Sequence, residues 1–176
     1  PFTRLLAGPA DYHLGGFRSV PEKDYVVHYS RPLVTSTRCH MLAMYLVLES
    51  YLNMVCDYPE AYRGQPGFDF LKDVPTVWDE TRVLEANMAE YVVTARRKGK
   101  DWYVGCINNT TERTIDISFN FLEDGEYSLE LLKDSDDTDT NPNHLETSVM
   151  DVKKDDSTTV RLASSGGTVM KLSRKH

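Results

Sequence analysis

The chain has 176 residues, 40% of them hydrophobic and 27% charged, with a formal net charge of −7. Those proportions exclude a disordered chain, and a length of this order buries one ordinary core or two small ones. The negative charge comes without any Lys/Arg-rich run, which argues against nucleic acid as a partner. No apolar stretch approaches the ~20 residues of a membrane-spanning helix, which argues against a membrane partner.

Taken in order, Phe2 to Ala7 is a short, mostly apolar run closed by Gly8-Pro9. Such a run is expected to be a strand covered on both faces, as in a parallel sheet. These opening residues read as the middle of a folded domain, so the sequence is expected to be a piece of a longer protein. A long polar and aromatic loop follows from Gly8 to Leu33, punctuated by Pro9, Gly15, Gly16, Pro21 and Pro32. Loops of that length in compact domains are usually functional. Thr35-Ser36-Thr37 supplies N-cap hydroxyls for a helix running to about Ser50, and that helix is apolar on almost every face. It belongs inside something larger. Leu52 to Cys56 is a second short strand, and Glu60 to Val74 ends in a short helix. Strand, loop, helix, strand, short helix is the order of consecutive β/α units, and two units alone leave sheet edges open.

Near Pro75 the pattern changes. Residues 1–75 carry eight acidic and seven basic side chains, and the remainder carry 19 and 13. The second part is read as strands at Thr81–Ala86, Glu90–Arg97, Trp102–Ile107, Thr114–Leu122, Tyr127–Lys133, Glu146–Val152, Thr158–Leu162 and Thr168–Leu172. Apolar and polar residues alternate clearly from Thr114 to Phe121, and turn residues separate the segments. Strands at this spacing predict an antiparallel β-sandwich of about 100 residues.

Several groups invite a chemical reading. Asp11, Tyr12, His13 and Arg18 lie just beyond the first expected strand, where barrel loops build active sites. Asp11 and Tyr12 are therefore candidate sugar contacts. Glycosidases need two carboxylates across one bond, and Asp11, Asp24, Glu49 and Asp57 are available in residues 1–75, although Asp57-Tyr58-Pro59-Glu60 also reads as a capping turn. The acidic run Asp134 to Asn141 fails as an EF-hand loop begun at Asp137, because Pro142 and Ser148 occupy the positions that need Gly and Glu. It reads as a solvated turn. Cys39, Cys56 and Cys106 are too few and too scattered for a disulfide framework or zinc site, and are expected to be free, buried thiols. Cys39 and His40 are helix neighbours pointing to different faces, so they form no dyad. Asn108-Asn109-Thr110 and Asn109-Thr110-Thr111 match the glycosylation pattern but more often mark a turn. The charges of Trp78-Asp79-Glu80-Thr81-Arg82 are expected to pin the sandwich to the preceding half.

Longer stretches are more specific. Pro1-Phe2-Thr3-Arg4-Leu5-Leu6-Ala7-Gly8-Pro9-Ala10-Asp11-Tyr12, Gly15-Gly16-Phe17-Arg18, Thr37 through Tyr45, Gln65 through Leu71, Val74 through Arg82 and Ala95-Arg96-Arg97-Lys98-Gly99 together resemble glycoside hydrolase family 97. The resemblance implies an exported α-glucosidase or α-galactosidase, periplasmic or secreted, that acts on an oligosaccharide and uses calcium. It also implies an architecture of N-terminal sandwich, central β/α barrel and C-terminal β-domain. The expected fold is thus the last two β/α units of a TIM-type barrel (residues 1–75) followed by a C-terminal antiparallel β-sandwich (residues 76–176). No catalytic residue and no metal ligand is carried over, since the family's carboxylates precede a segment like Pro1 to Asp11, and His13 stands where a smaller or uncharged residue is expected. The chain alone is expected to be inactive and to pair with the N-terminal part of its own protein or with itself. The competing reading is a carbohydrate-binding or assembly module presenting Trp78, Trp102 and Tyr103; Trp102-Tyr103 lies within a strand, where at least one ring faces the core.

Overall fold

The computed structural model describes residues 1–14 and 16–175. Gly15, one of the glycines expected to punctuate the first loop, lies outside the described residues.

The first strand is not where the apolar run suggested. Arg4–Ala7 forms a 3₁₀ turn, with Leu6 N–H donating to the Thr3 carbonyl and Gly8 following at φ 105°. Leu6 remains 84% exposed, so the run is short of the cover a buried strand requires. Extended backbone begins only past Pro9, in β1 (Tyr12–Leu14). The helix α1 (Arg38–Val47) starts as expected, with the Thr37 hydroxyl accepting from His40 N–H at 3.1 Å. Strand β2 (Asn53–Val55) then runs parallel to β1, pairing Tyr12 with Asn53 and Leu14 with Val55. Helix α2 (Phe68–Asp73) closes this half.

Eight strands follow: β3 (Glu80–Asn87), β4 (Tyr91–Lys98), β5 (Asp101–Asn108), β6 (Arg113–Ser118), β7 (Tyr127–Asp134), β8 (Leu145–Val152), β9 (Ser157–Leu162) and β10 (Gly167–Arg174). Six of them form one antiparallel sheet in the order β3-β4-β5-β10-β7-β8, and β6 pairs with β9 in a second. The strand expected to reach Leu122 stops at Ser118. Beyond it Leu122 N–H turns back to the Phe119 carbonyl, and both side chains drop into the core.

Three clusters define the layers. Between the sheets lie Trp102, Val104, Ile115, Ile117, Phe119, Leu129, Leu162 and Met170. On the opposite face of the large sheet, Leu42, Ala43 and Leu46 of α1 meet Tyr103, Leu132 and Val169. On the far side of α1, Tyr45 and Leu48 pack on Leu14 of β1. The helix is apolar all round because sheet covers it on both sides, and burying a leucine such as Leu42 or Leu46 contributes about 1.5–3 kcal/mol. The same layering explains why β4 and β5 are buried at consecutive positions, whereas β6, with one face in solvent, alternates.

Helix and sheet approach closely at two glycines. A Cβ on Gly105 would sit 2.6 Å from Leu46 Cβ and 3.1 Å from the Ala43 carbonyl, and one on Gly167 would sit 2.9 Å from His40 Cα. Beside that contact, His40 Nδ1 lies 2.9 Å from the Gly166 carbonyl, a geometry that the neutral ring satisfies as donor. Burial lowers the His40 pKa from its ordinary 6.5.

Gly105→Ala should destabilise the fold by about 1–3 kcal/mol through overpacking, read as a lower urea midpoint at unchanged slope. Stability should also fall as pH drops through 6.5, because the unfolded chain then takes up a proton that the buried ring resists. His40→Asn, which keeps a donor near the Nδ1 position, should flatten that dependence in urea titrations between about pH 7 and pH 5.

Candidate functional site

Parallel strands bring their C-terminal ends to the same side, and the loops leaving β1 and β2 meet there. Arg18, four residues beyond Leu14, places Nε 2.5 Å from Asp57 Oδ2 and Nη2 3.3 Å from Asp57 Oδ1. Asp57, two residues beyond Val55, also accepts from Tyr58 N–H, while its own N–H donates to the Tyr62 hydroxyl at 3.1 Å. Its carboxylate is fully covered and Arg18 is 32% exposed. The Arg18 hydrogen bond holds the Asp57 carboxyl below its ordinary range, and burial pushes the Tyr62 hydroxyl up to about 12.

The loop leaving β1 is tied at its base. Val20 N–H donates to the Val34 carbonyl and Val34 N–H to the Arg18 carbonyl. Asn143, in the turn between β7 and β8, clasps the same point: Oδ1 accepts from Ser19 N–H at 3.0 Å and Nδ2 donates to the Ser19 carbonyl at 2.7 Å. Asn143 Oδ1 also accepts from Arg38 Nη2 at 2.9 Å. Arg38 is wholly buried, stacks 4.1 Å from the Phe17 ring centre, and donates to the Phe17 and Pro66 carbonyls. Among the described residues its acceptors are neutral, and burial lowers its pKa to about 10. Beyond the base, residues 22–31 are exposed and carry Tyr25, Val26, Val27 and Tyr29.

An open groove of about 650 Å³ runs along this rim, lined by Arg18, Ser19, Arg31, Glu60, Gln65 and Asn143 among others. Its amides, guanidinium groups and single carboxylate suit hydrogen bonding to a polyhydroxylated molecule. They do not supply a pair of carboxylates across a bond. Asp57, the acid at the most favourable address, is committed to Arg18.

The other sequence-marked residues fall elsewhere. Asp11 is exposed, and Tyr12 is half-buried against Leu14, Tyr45 and Leu48. Both stand at the N-terminal start of β1 rather than beyond a strand, because the strand forms ten residues later than the apolar run suggested. Asp137 accepts from Ser135 and His144 within a surface turn. Asn108 is buried, with Nδ2 donating to the Thr111 and Ala163 carbonyls. All three cysteines are free; Cys39 and Cys106 are buried as expected, whereas Cys56, on the edge of the loop after β2, is only half-buried. The charges expected to pin the two halves instead hold the junction to the sandwich itself: Glu80 binds Arg82 and Arg97, and Asp79 binds Lys98 and Gly99 N–H. The halves are joined by Arg38, Asn143 and the Lys171–Asp73 pair at 2.8 Å. Trp102 is 3% exposed and Tyr103 is 4% exposed, so neither offers a sugar-stacking face. Among the described residues no group of three or more His, Cys, Asp or Glu side chains is placed to hold a metal.

Residues 77–173 match the family model described as glycosyl-hydrolase 97 C-terminal, oligomerisation. The chain belongs to glycoside hydrolase family 97. Over 173 residues this family 97 chain is 41% identical to a retaining alpha-galactosidase of Bacteroides thetaiotaomicron, covering 98% of the chain and 26% of that protein. It is 29% identical over 138 residues to a probable retaining alpha-galactosidase of Streptomyces bingchenggensis, covering 78% of the chain and 20% of that protein. Among solved structures it is similar to a family 97 enzyme from Pseudoalteromonas in complex with acarbose, with a TM-score of 0.85, 31% identity, and coverage of 98% of the chain and 27% of the enzyme. The chain thus spans about a quarter of the length of these relatives.

Asn143→Ala removes both bonds to Ser19 and one acceptor of a buried cation, so it should cost about 2–3 kcal/mol. Asn143→Asp turns the donor to Ser19 into an acceptor facing the Ser19 carbonyl, but supplies a carboxylate to the buried Arg38 cation, and should cost less. Urea unfolding of the two variants side by side checks the order.

Proposed function

We propose that this chain is the C-terminal part of a longer α-glycosidase, in which residues 1–75 supply the last two β/α units of a catalytic barrel and residues 76–176 buttress it. The observation that carries this reading is the open pair β1–β2. Among the described residues each strand has one neighbour, and Leu6, Tyr51, Leu52, Val55 and Tyr58 stand exposed around them. A two-stranded parallel sheet is not stable on those terms; it needs further strands at its edges. Relatives about four times as long provide room for them.

By analogy with the Bacteroides relative, the whole protein would cleave α-galactosides with retention, with α-glucosides the alternative. Its acid/base carboxylates would lie outside this chain, as would the ligands of any calcium ion, since the described residues do not fit a metal. The C-terminal rim of β1 and β2 would border the substrate cleft, with Arg18 facing it. Asp11 and Tyr12 stay in the proposal as substrate contacts suggested by resemblance, although the direction of β1 favours the opposite end. An exported location, periplasmic or secreted, belongs to the same reading. The binding-module alternative is weakened by the burial of Trp102 and Tyr103, which leaves Trp78, half-buried against Tyr103, alone of its three rings. The family description supports self-association as a second task of the sandwich.

The full-length protein should release nitrophenol from an aryl α-galactoside or α-glucoside, and the 176-residue chain alone should not. Turnover by the short chain, or none by the full-length protein on either substrate, would overturn the proposal.

A further inference from the structure

The six-stranded sheet has two edges, and they are not alike. At β3 the register slips between Val83 and Glu85, and the strand carries the Glu80–Arg82 ion pair and a Glu85 carboxylate bonded to Tyr91. Bulges and charges of this kind blunt an edge against pairing. At β8 there is no bulge, and charge is confined to the two end portions of the strand. All eight residues pair with β7 in unbroken register, from Leu145 with Asp134 to Val152 with Tyr127. The two acids of the strand are drawn into ion pairs, Glu146 with Lys133 and Asp151 with Lys175. The stretch between them, Thr147-Ser148-Val149-Met150, is uncharged, with Val149 69% and Met150 40% exposed. A regular edge with an apolar centre is a template for another strand.

We infer that β8 is the strand through which two copies of this protein associate, joined antiparallel across a twofold axis at Val149. The inference rests on the self-association reading above and names its surface. A second copy is the occupant because the family model described by oligomerisation spans β8, and an edge strand can pair with itself about a twofold axis, giving a closed dimer. The register follows from side-chain parity. A twofold perpendicular to the sheet keeps each residue on its own face, so the axis must pass through a residue rather than between two. Centring on Val149 sets it against itself, places Met150 opposite Ser148, and leaves Glu146 opposite Val152 and Asp151 opposite Thr147. Centring on Ser148 would instead set Glu146 against Met150 and Asp151 against Leu145.

Sedimentation velocity on the full-length protein tests this with two variants. The wild type should be a dimer, and Val149→Arg, which opposes two like charges at the axis, should shift it to a folded monomer whose far-UV circular dichroism matches the wild type. Val149→Cys should form a disulfide-linked dimer on mild oxidation that the wild type does not, since directly opposed residues of antiparallel strands lie about 4.5–5.5 Å apart at Cα. A monomeric wild type would overturn self-association itself. A dimer that survives Val149→Arg, together with no cross-link in the Val149→Cys variant, would overturn the assignment to β8 while leaving self-association standing.

Discussion

A single buried guanidinium holds the two halves of this chain in register. Arg38 opens α1, yet its side chain leaves the helix to reach the carbonyls of Phe17 and Pro66 and the amide oxygen of Asn143. Removing a charge from water costs several kcal/mol unless its donors are satisfied; among the described residues both terminal nitrogens of Arg38 find acceptors, while its buried Nε finds none. Here the acceptors are contributed by the loop after β1, the turn before α2 and the β7–β8 turn. Any of these segments that moved would leave a buried cation short of a partner. The requirement is mutual: each carbonyl, once covered by Phe17 and its neighbours, needs the donor as much as the donor needs it.

Most of the β-rich half is legible in the sequence because its punctuation is local. Eight segments read as strands and eight strands form, with turns such as Lys98-Gly99-Lys100 and Asp124-Gly125 between them. The one overrun, past Ser118, comes from phenylalanines whose β-propensity is satisfied equally well by a turn that buries them. The misplaced first strand has a different cause. A short apolar run says that burial is wanted, not where the covering atoms are: the structure covers Leu5 in part, against Leu14, Tyr45 and Leu48, and leaves Leu6 and Ala7 exposed. The absence of alternation in Val92 to Arg96 and Trp102 to Ile107 is intelligible only once α1 is seen lying on the outer face of those strands.

The candidate site is legible only in pieces. Arg18 and Asp57 are each marked by position after a strand, but nothing local shows that they face one another across 39 residues. Asn143 carries no signal at all. Its role depends on a backbone 124 residues away, and an Asn in an acidic turn is ordinary. Arg38 does leave a trace: a lone charge at the head of a helix apolar on every face has nowhere to go but a buried partner.

The change of pattern at Pro75 therefore marks a boundary in the chain and not a gap in the packing. The cluster on the helix side of the large sheet draws Phe17, Leu42, Leu46, Tyr62 and Phe70 from one half and Tyr103, Leu132 and Val169 from the other. Glycine at 105 and 167 lets the helix backbone ride directly on the strands, a closeness suited to permanent contact rather than to two bodies that move apart. Helix α1 thus serves as the outer layer of the sandwich and the inner support of β1 at once. A shift of the sandwich would be passed through α1 and Asn143 to the loop that carries Arg18, the side chain facing the groove. In such an arrangement the β-domain cannot be a passive appendage: its position sets the shape of the rim.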